Sequence, residues 1–111
     1  MNIKEYQEII KKTAIYPKEI GVMYCTMGLC GETGEVAEKV KKLYRDSNGI
    51  VTNDFKLGIK KELGDVIWYV TALAEEFNLS LEEILEANYE KLIARRKTNT
   101  LHGSGDDREN K

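Results

Sequence analysis

Apolar residues along this chain recur at helical intervals in four separate stretches. Ile3, Tyr6, Ile9 and Ile10 form the first stripe, predicting an outer helix from about Asn2 to Thr13. Pro17 disfavours helix at Tyr16 but suits the first position of a new one, so a break is expected at Ile15 to Pro17. Beyond it Val22, Cys25, Leu29, Val36, Val40 and Leu43 are spaced by three, four or seven, which predicts one long helix from about Lys18 to Arg45. Lys41, Lys42 and Arg45 suit its negative C-terminal end. The segment DSNGIVTND, Asp46 to Asp54, is a strong turn signal: Gly49 can take positive φ, and Asn53 or Asp54 can cap a third helix.

The third stripe is Leu63, Val66, Ile67, Val70, Leu73, Ala74 and Phe77, almost without polar interruption. It predicts a helix from about Phe55 to Phe77, the most buried of the set. Asn78 can end it, and Ser80 with Glu83 forms a capping box for a fourth helix, about Leu81 to Lys97. Its stripe reads Leu81, Ile84, Leu85, Asn88, Leu92, so Asn88 stands where an apolar residue belongs and either braces a neighbouring helix or faces a polar ligand. Lys91 and Arg95 come at i+3 and i+7, and the three together suit phosphate oxygens. Residues 98–111 have glycines and charges but no periodicity, and are expected to be a loop or a lid. The prediction is an all-α, four-helix bundle-like domain over residues 1–97, its long second helix antiparallel to the third, with a C-terminal tail.

Composition narrows the chemistry. At 111 residues the chain suits one domain with a small core, for which oligomerisation is a plausible supplement. Its 17 basic and 19 acidic side chains are mixed along the sequence, so no broad electropositive footprint is offered to a nucleic-acid polymer. Cys25 and Cys30 without a nearby His make neither a zinc site nor a disulfide framework, which suits a reduced, cytoplasmic setting. No stretch is apolar enough for a leader or a membrane span.

Within the second and third helices the acids are clustered. Glu32, Glu35 and Glu38 recur every three residues in GETGEVAEKVKK, and Glu62 is succeeded at i+3 by Asp65 in KELGD. Positions i and i+3 share a helix face, so two antiparallel helices can turn these carboxylates toward each other. Converging carboxylates repel unless cations lie between them, and all-oxygen ligation suits Mg²⁺, Mn²⁺ or Ca²⁺. Gly28, Gly31, Gly34 and Gly64 punctuate the same segments, each costing about 1 kcal/mol relative to Ala in a helix, which points to close approach of a backbone, a ligand or another helix. The bland alternative is a solvated acidic face.

Gly28-Leu29 with GETGEVAEKVKK, KELGDVIWYV and ANYEKLIAR resembles the MazG-like nucleoside triphosphate pyrophosphohydrolases, and TLHGSGDDR resembles the ending of small, often phage-encoded members. The resemblance implies a dimeric or tetrameric all-α enzyme that uses Mg²⁺, with Mn²⁺ as a substitute, to hydrolyse a (deoxy)nucleoside triphosphate to monophosphate and pyrophosphate. It implies Glu32, Glu35, Glu62 and Asp65 as metal ligands, with Gly31 where many members carry a further acid. Glu35 or Glu38 would orient or deprotonate the water that attacks the α-phosphorus. Asn88, Lys91 and Arg95 would contact the triphosphate, joined by Lys42. Trp68, one turn beyond Asp65, is either a base-stacking platform or a packed core residue. His102, Asp106 and Arg108 either close over the phosphates or belong to a disordered end.

Three rival readings remain. A di-iron carboxylate bundle wants two Glu-x-x-His motifs, and this chain has a single His, far from the acids. A non-catalytic helical binding module would release no pyrophosphate. A dUTP-selective or other hydrolase on the same bundle would be distinguished by its products.

Overall fold

The computed structural model describes residues 1–99, which contain four α-helices and no strand; the expected lid residues His102, Asp106 and Arg108 lie outside them. Helix α1 is Ile3–Thr13. Asn2 caps it in a capping box: the Asn2 side chain accepts the Glu5 N–H at 2.8 Å and the Glu5 carboxylate accepts the Asn2 N–H at 3.2 Å. The break predicted before Pro17 is present, but the chain first makes a short 3₁₀ turn, Lys18–Ile20, and α2 begins only at Gly21. The displacement has a local cause. Glu76 of the third helix packs its carboxylate where a Cβ on Gly21 would stand, and that carboxylate also accepts the Tyr16 hydroxyl, so the chain must turn closely here.

Helix α2 runs over Gly21–Ser47 and ends in the turn read from the sequence, with Asn48 and Gly49 both at positive φ. The Gly49 N–H donates to the Leu43 carbonyl at 3.0 Å, satisfying one of the last orphan carbonyls. Helix α3, Asn53–Glu76, starts earlier than expected because Thr52, not Asn53 or Asp54, is the cap; its hydroxyl oxygen accepts the Phe55 N–H at 3.1 Å. Helix α4 is Leu81–Thr98, capped by Ser80, whose oxygen accepts the Glu83 N–H. Its first turn is tied to α1 by the Glu82 N–H, which donates to the Gln7 side chain at 3.0 Å.

Helices α2 and α3 pack side by side along most of their length, and this antiparallel pair is the body of the molecule. Three glycines mark its register, two of them close seats. Gly21 faces Glu76, Gly28 faces the Tyr69 ring, and Gly58 faces the stem and ammonium of Lys39. Each step forward on α2 is matched by one step back on α3. The same register sets Glu32 across from Asp65 and Glu35 across from Glu62. The core, Ile10, Tyr16, Cys25 and Ala72 with Trp68, Tyr69 and Leu73 against it, sits where α1 crosses one end of this pair.

One expectation is corrected by this packing. Leu63, Ile67 and Phe77, which the pattern places in the most buried helix, are 50%, 44% and 57% exposed, because the buried side of α3 is carried by Thr71, Ala72 and Ala74. Asn88 is exposed as well. Among the described residues α4 packs lightly on α1 and α3 and does not reach α2, so its apolar stripe, with Leu85 and Leu92, is largely uncovered.

Candidate functional site

The helical stripe of α2 that faces α3 reads Cys25, Leu29, Glu32, Val36, Lys39, Leu43, alternating steps of four and three. This is the spacing of a helix-pairing seam, and it carries an acid and a base at positions that ordinarily hold apolar residues. The matching seam of α3 contains Gly58, Glu62, Asp65, Tyr69 and Glu76. Carboxylates from both helices therefore meet in the middle of the contact.

Glu32, Glu62 and Asp65 each bring a carboxylate oxygen within 4.8 Å of the other two. Burial pushes the Glu32 carboxyl above the usual carboxylate range, and the charges of Asp65, Glu62 and Glu35 and a hydrogen bond to the Glu62 carboxyl raise it further. Beyond burial, that shift records repulsion among the acids, which a cation relieves. The donors fit a hard divalent ion. All are oxygens, and ligands on opposite sides of a Mg²⁺ stand about 4 Å apart, so the observed spacing needs only a small side-chain adjustment.

The remaining predicted residues are distributed unevenly. Glu35 is exposed and stands outside the tight trio, although its charge reaches Glu32. Glu38 is engaged elsewhere: Lys41 lies 3.0 Å and Lys42 3.9 Å from its oxygens, and hydrogen bonding to Lys41 holds its carboxyl below the ordinary range. Trp68 lines a cavity of about 280 Å³ with Glu32, Asp65 and Tyr69, and its indole N–H donates to the Thr13 hydroxyl at 2.9 Å. Asn88 lines a different hollow on α4 with Leu85, Tyr89 and Leu92; Lys91 is half-buried and Arg95 buried on the same helix. Lys42 opens onto a third cavity, at the C-terminal end of α2.

Two neighbours of the acids, and a lysine farther along the seam, were not singled out by the sequence. The Tyr69 ring packs edge-on to Trp68, with centroids 4.9 Å apart, and closes the cavity on the Gly28 side. Tyr6 comes near from α1; burial, then the Asp65 charge, raises its hydroxyl pKa. Lys39 occupies the other side, over Gly58. The signal for Tyr69 and Lys39 was present in the seam spacing, which becomes decisive once the register is fixed.

Of the glycines that interrupt the acidic segments, Gly28 has a steric reason within the chain. A Cβ on Gly31, Gly34 or Gly64 would meet no atom within 4 Å. Among the described residues no helix is long and apolar enough to cross a membrane.

Residues 24–100 match the family model described as the MazG nucleotide pyrophosphohydrolase domain. The chain is also similar to the gene 37 protein of Mycobacterium phage L5, with 41% identity over 114 residues covering 97% of this chain and all of that protein. No solved structure matches at a significant level.

Proposed function

Because the chain belongs to the MazG nucleotide pyrophosphohydrolase family, we propose that it hydrolyses (deoxy)nucleoside triphosphates to the monophosphate and pyrophosphate, with Mg²⁺ held by Glu32, Glu35, Glu62 and Asp65. The observation that carries the reading is the meeting of Glu32, Glu62 and Asp65 across the α2–α3 register, inside the segment that matches the family. A divalent ion bound there supplies neutralisation of the polyphosphate and acidification of a water.

The chain's own groups do the rest. Water adds to the α-phosphorus, the bond from that phosphorus to the bridging oxygen of the β-phosphate breaks, and pyrophosphate departs with the electron pair. Glu35 accepts the water's proton: it faces Glu62 by register, whereas Glu38 is held by Lys41 and its depressed pKa makes it the weaker base. Trp68 offers the base a ring face beside the acids. Lys42, Asn88, Lys91 and Arg95 keep the phosphate-contact role that family resemblance gives them. The free thiols, Cys25 buried and Cys30 exposed, support a reducing, cytoplasmic setting.

Self-association belongs to the same reading. Exposed Leu63 and Ile67 on α3 and Leu85, Tyr89 and Leu92 on α4 are the apolar surface that a second copy would cover.

The test is a screen of the common NTPs and dNTPs with Mg²⁺, separating the products. Pyrophosphate and monophosphate in equal amounts, abolished by EDTA, are expected. Orthophosphate, free base or no product overturns the activity, and a monomeric mass by sedimentation overturns the self-association.

A further inference from the structure

Lys39 is the least explained charge in the α2–α3 seam. It falls one heptad beyond Glu32, in line with Cys25, Leu29, Val36 and Leu43, where an apolar side chain would bury more surface. Its side chain lies over Gly58 of α3, with the ammonium 3.4 Å and Cε 3.7 Å from where a Cβ there would stand, which is ordinary contact. Among the described residues no carboxylate lies within ion-pair distance of Lys39.

The ammonium opens into a cavity of about 260 Å³ whose polar lining is Lys39, Lys42, Asp46, Ser47, Thr52 and Asp54. Asp46 is taken by the Arg45 guanidinium, with bonds of 2.7 and 2.8 Å. Thr52 accepts the Phe55 N–H, which leaves its hydroxyl hydrogen to donate. Lys42 touches Glu38 only at 3.9 Å. Two ammonium groups and two hydroxyls thus face one acid, Asp54, that forms no ion pair among the described residues.

This cavity and the one beside Glu32 and Asp65 are separate hollows along the same α2–α3 contact. Aromatic Trp68 and Tyr69 lie on one side of Glu32, Glu62 and Asp65, and Lys39 lies on the other. Seven residues of helix separate Glu32 from Lys39, about 10 Å along the axis, and because helical side chains tilt toward the N-terminus, a lysine reaching back from position 39 shortens that gap to the reach of a polyphosphate arm. Resting on the pyrophosphohydrolase reading above, we propose that Lys39, seated on Gly58, binds the terminal phosphates of the substrate, so that the nucleotide lies with its base toward Trp68 and its pyrophosphate arm toward the C-terminal end of α2. The role comes from charge: the departing pyrophosphate gains negative charge as the anhydride bond opens, and an ammonium there favours that state more than the ground state.

Calorimetric titration of inorganic pyrophosphate, and separately of nucleoside monophosphates, into the Mg²⁺-containing protein tests this without turnover. Lys39→Met keeps the apolar stem and removes the charge; Lys39→Arg restores it. The expected result is a loss of pyrophosphate affinity of about tenfold or more in Lys39→Met, recovery in Lys39→Arg, and unchanged monophosphate affinity in both. Should Lys39→Met fail to fold by circular dichroism, Lys39→Gln against Lys39→Arg makes the same comparison. Unchanged pyrophosphate affinity, or a loss confined to monophosphate, overturns the orientation. A wild-type chain that binds pyrophosphate through Lys39 yet releases none from any triphosphate overturns the activity and leaves the seat standing.

Discussion

The indole N–H of Trp68 donates to the hydroxyl of Thr13 at 2.9 Å, which ties the floor of the Glu32–Asp65 cavity to the last turn of α1. Trp68 is the only tryptophan in the chain, so its fluorescence reports on that cavity alone. Nucleoside monophosphate is expected to quench it, and inorganic pyrophosphate to leave it nearly unchanged. Trp68→Ala should lower monophosphate affinity by about tenfold, the worth of one stacked base, while Trp68→Phe retains most of it. Equal quenching by both ligands would remove the stacking role.

Charge at the acidic trio is unfavourable until a cation enters, so its removal should help the metal-free fold. Asp65→Asn and Glu35→Gln are expected to lower turnover by more than the roughly 10–100-fold that loss of an outer-shell partner costs. They should leave helicity intact and keep or raise the melting point in EDTA. Mg²⁺ at a hundred times its Kd should stabilise the wild type by about 2.7 kcal/mol and the variants by less. Thermal melts with and without metal check both statements; a variant that unfolds in EDTA would make the acids structural.

Gly28 and Gly31, three residues apart on α2, should respond oppositely to the same substitution. A Cβ at Gly28 collides with the Tyr69 ring, whereas one at Gly31 meets nothing within 4 Å. Gly28→Ala is expected to destabilise by about 1–3 kcal/mol, as overpacking does, and to disturb the Trp68 emission through Tyr69. Gly31→Ala should gain up to ~1 kcal/mol of helix propensity. Urea denaturation compares the two.

Alkaline pH offers a separate probe of the Tyr16–Glu76 contact. Burial raises the Tyr16 hydroxyl well above its ordinary value of 10.0, assisted by Cys25 and Glu76, to which it donates at 2.7 Å. The folded state thus keeps a proton that the unfolded chain gives up. The contribution is complete below pH 10 and is lost as pH rises above it. Tyr16→Phe should flatten the decline of melting temperature above pH 10, and an unchanged slope would remove Tyr16 from the cause.

The helices were legible because their signals are local: stripe spacing, Pro17, Gly49, and Ser80 before Glu83. Pairing information was harder to extract. Glu32, Glu62 and Asp65 could be grouped from spacing alone, yet Tyr69 and Lys39 gain meaning only when Gly28 and Gly58 are found opposite them, and a register between helices is not written in either one. The exposure of part of the α3 stripe has the same origin. Leu63 and Ile67 look like core because apolar periodicity reports that a face wants covering without saying whether the same chain covers it.

The three acids of the tight trio, Trp68, Tyr69 and Lys39 all sit within a single helical hairpin, Gly21–Glu76, closed by the short connection 48–52. Its partners are near in sequence around one tight bend, so the hairpin can assemble early and quickly, before the outlying helices dock. Such a cassette is portable: the outer helices can diverge around it wherever they leave the hydroxyl that holds Trp68 and the α4 phosphate contacts in place, provided Gly21 and Gly28, which set its alignment, are left alone.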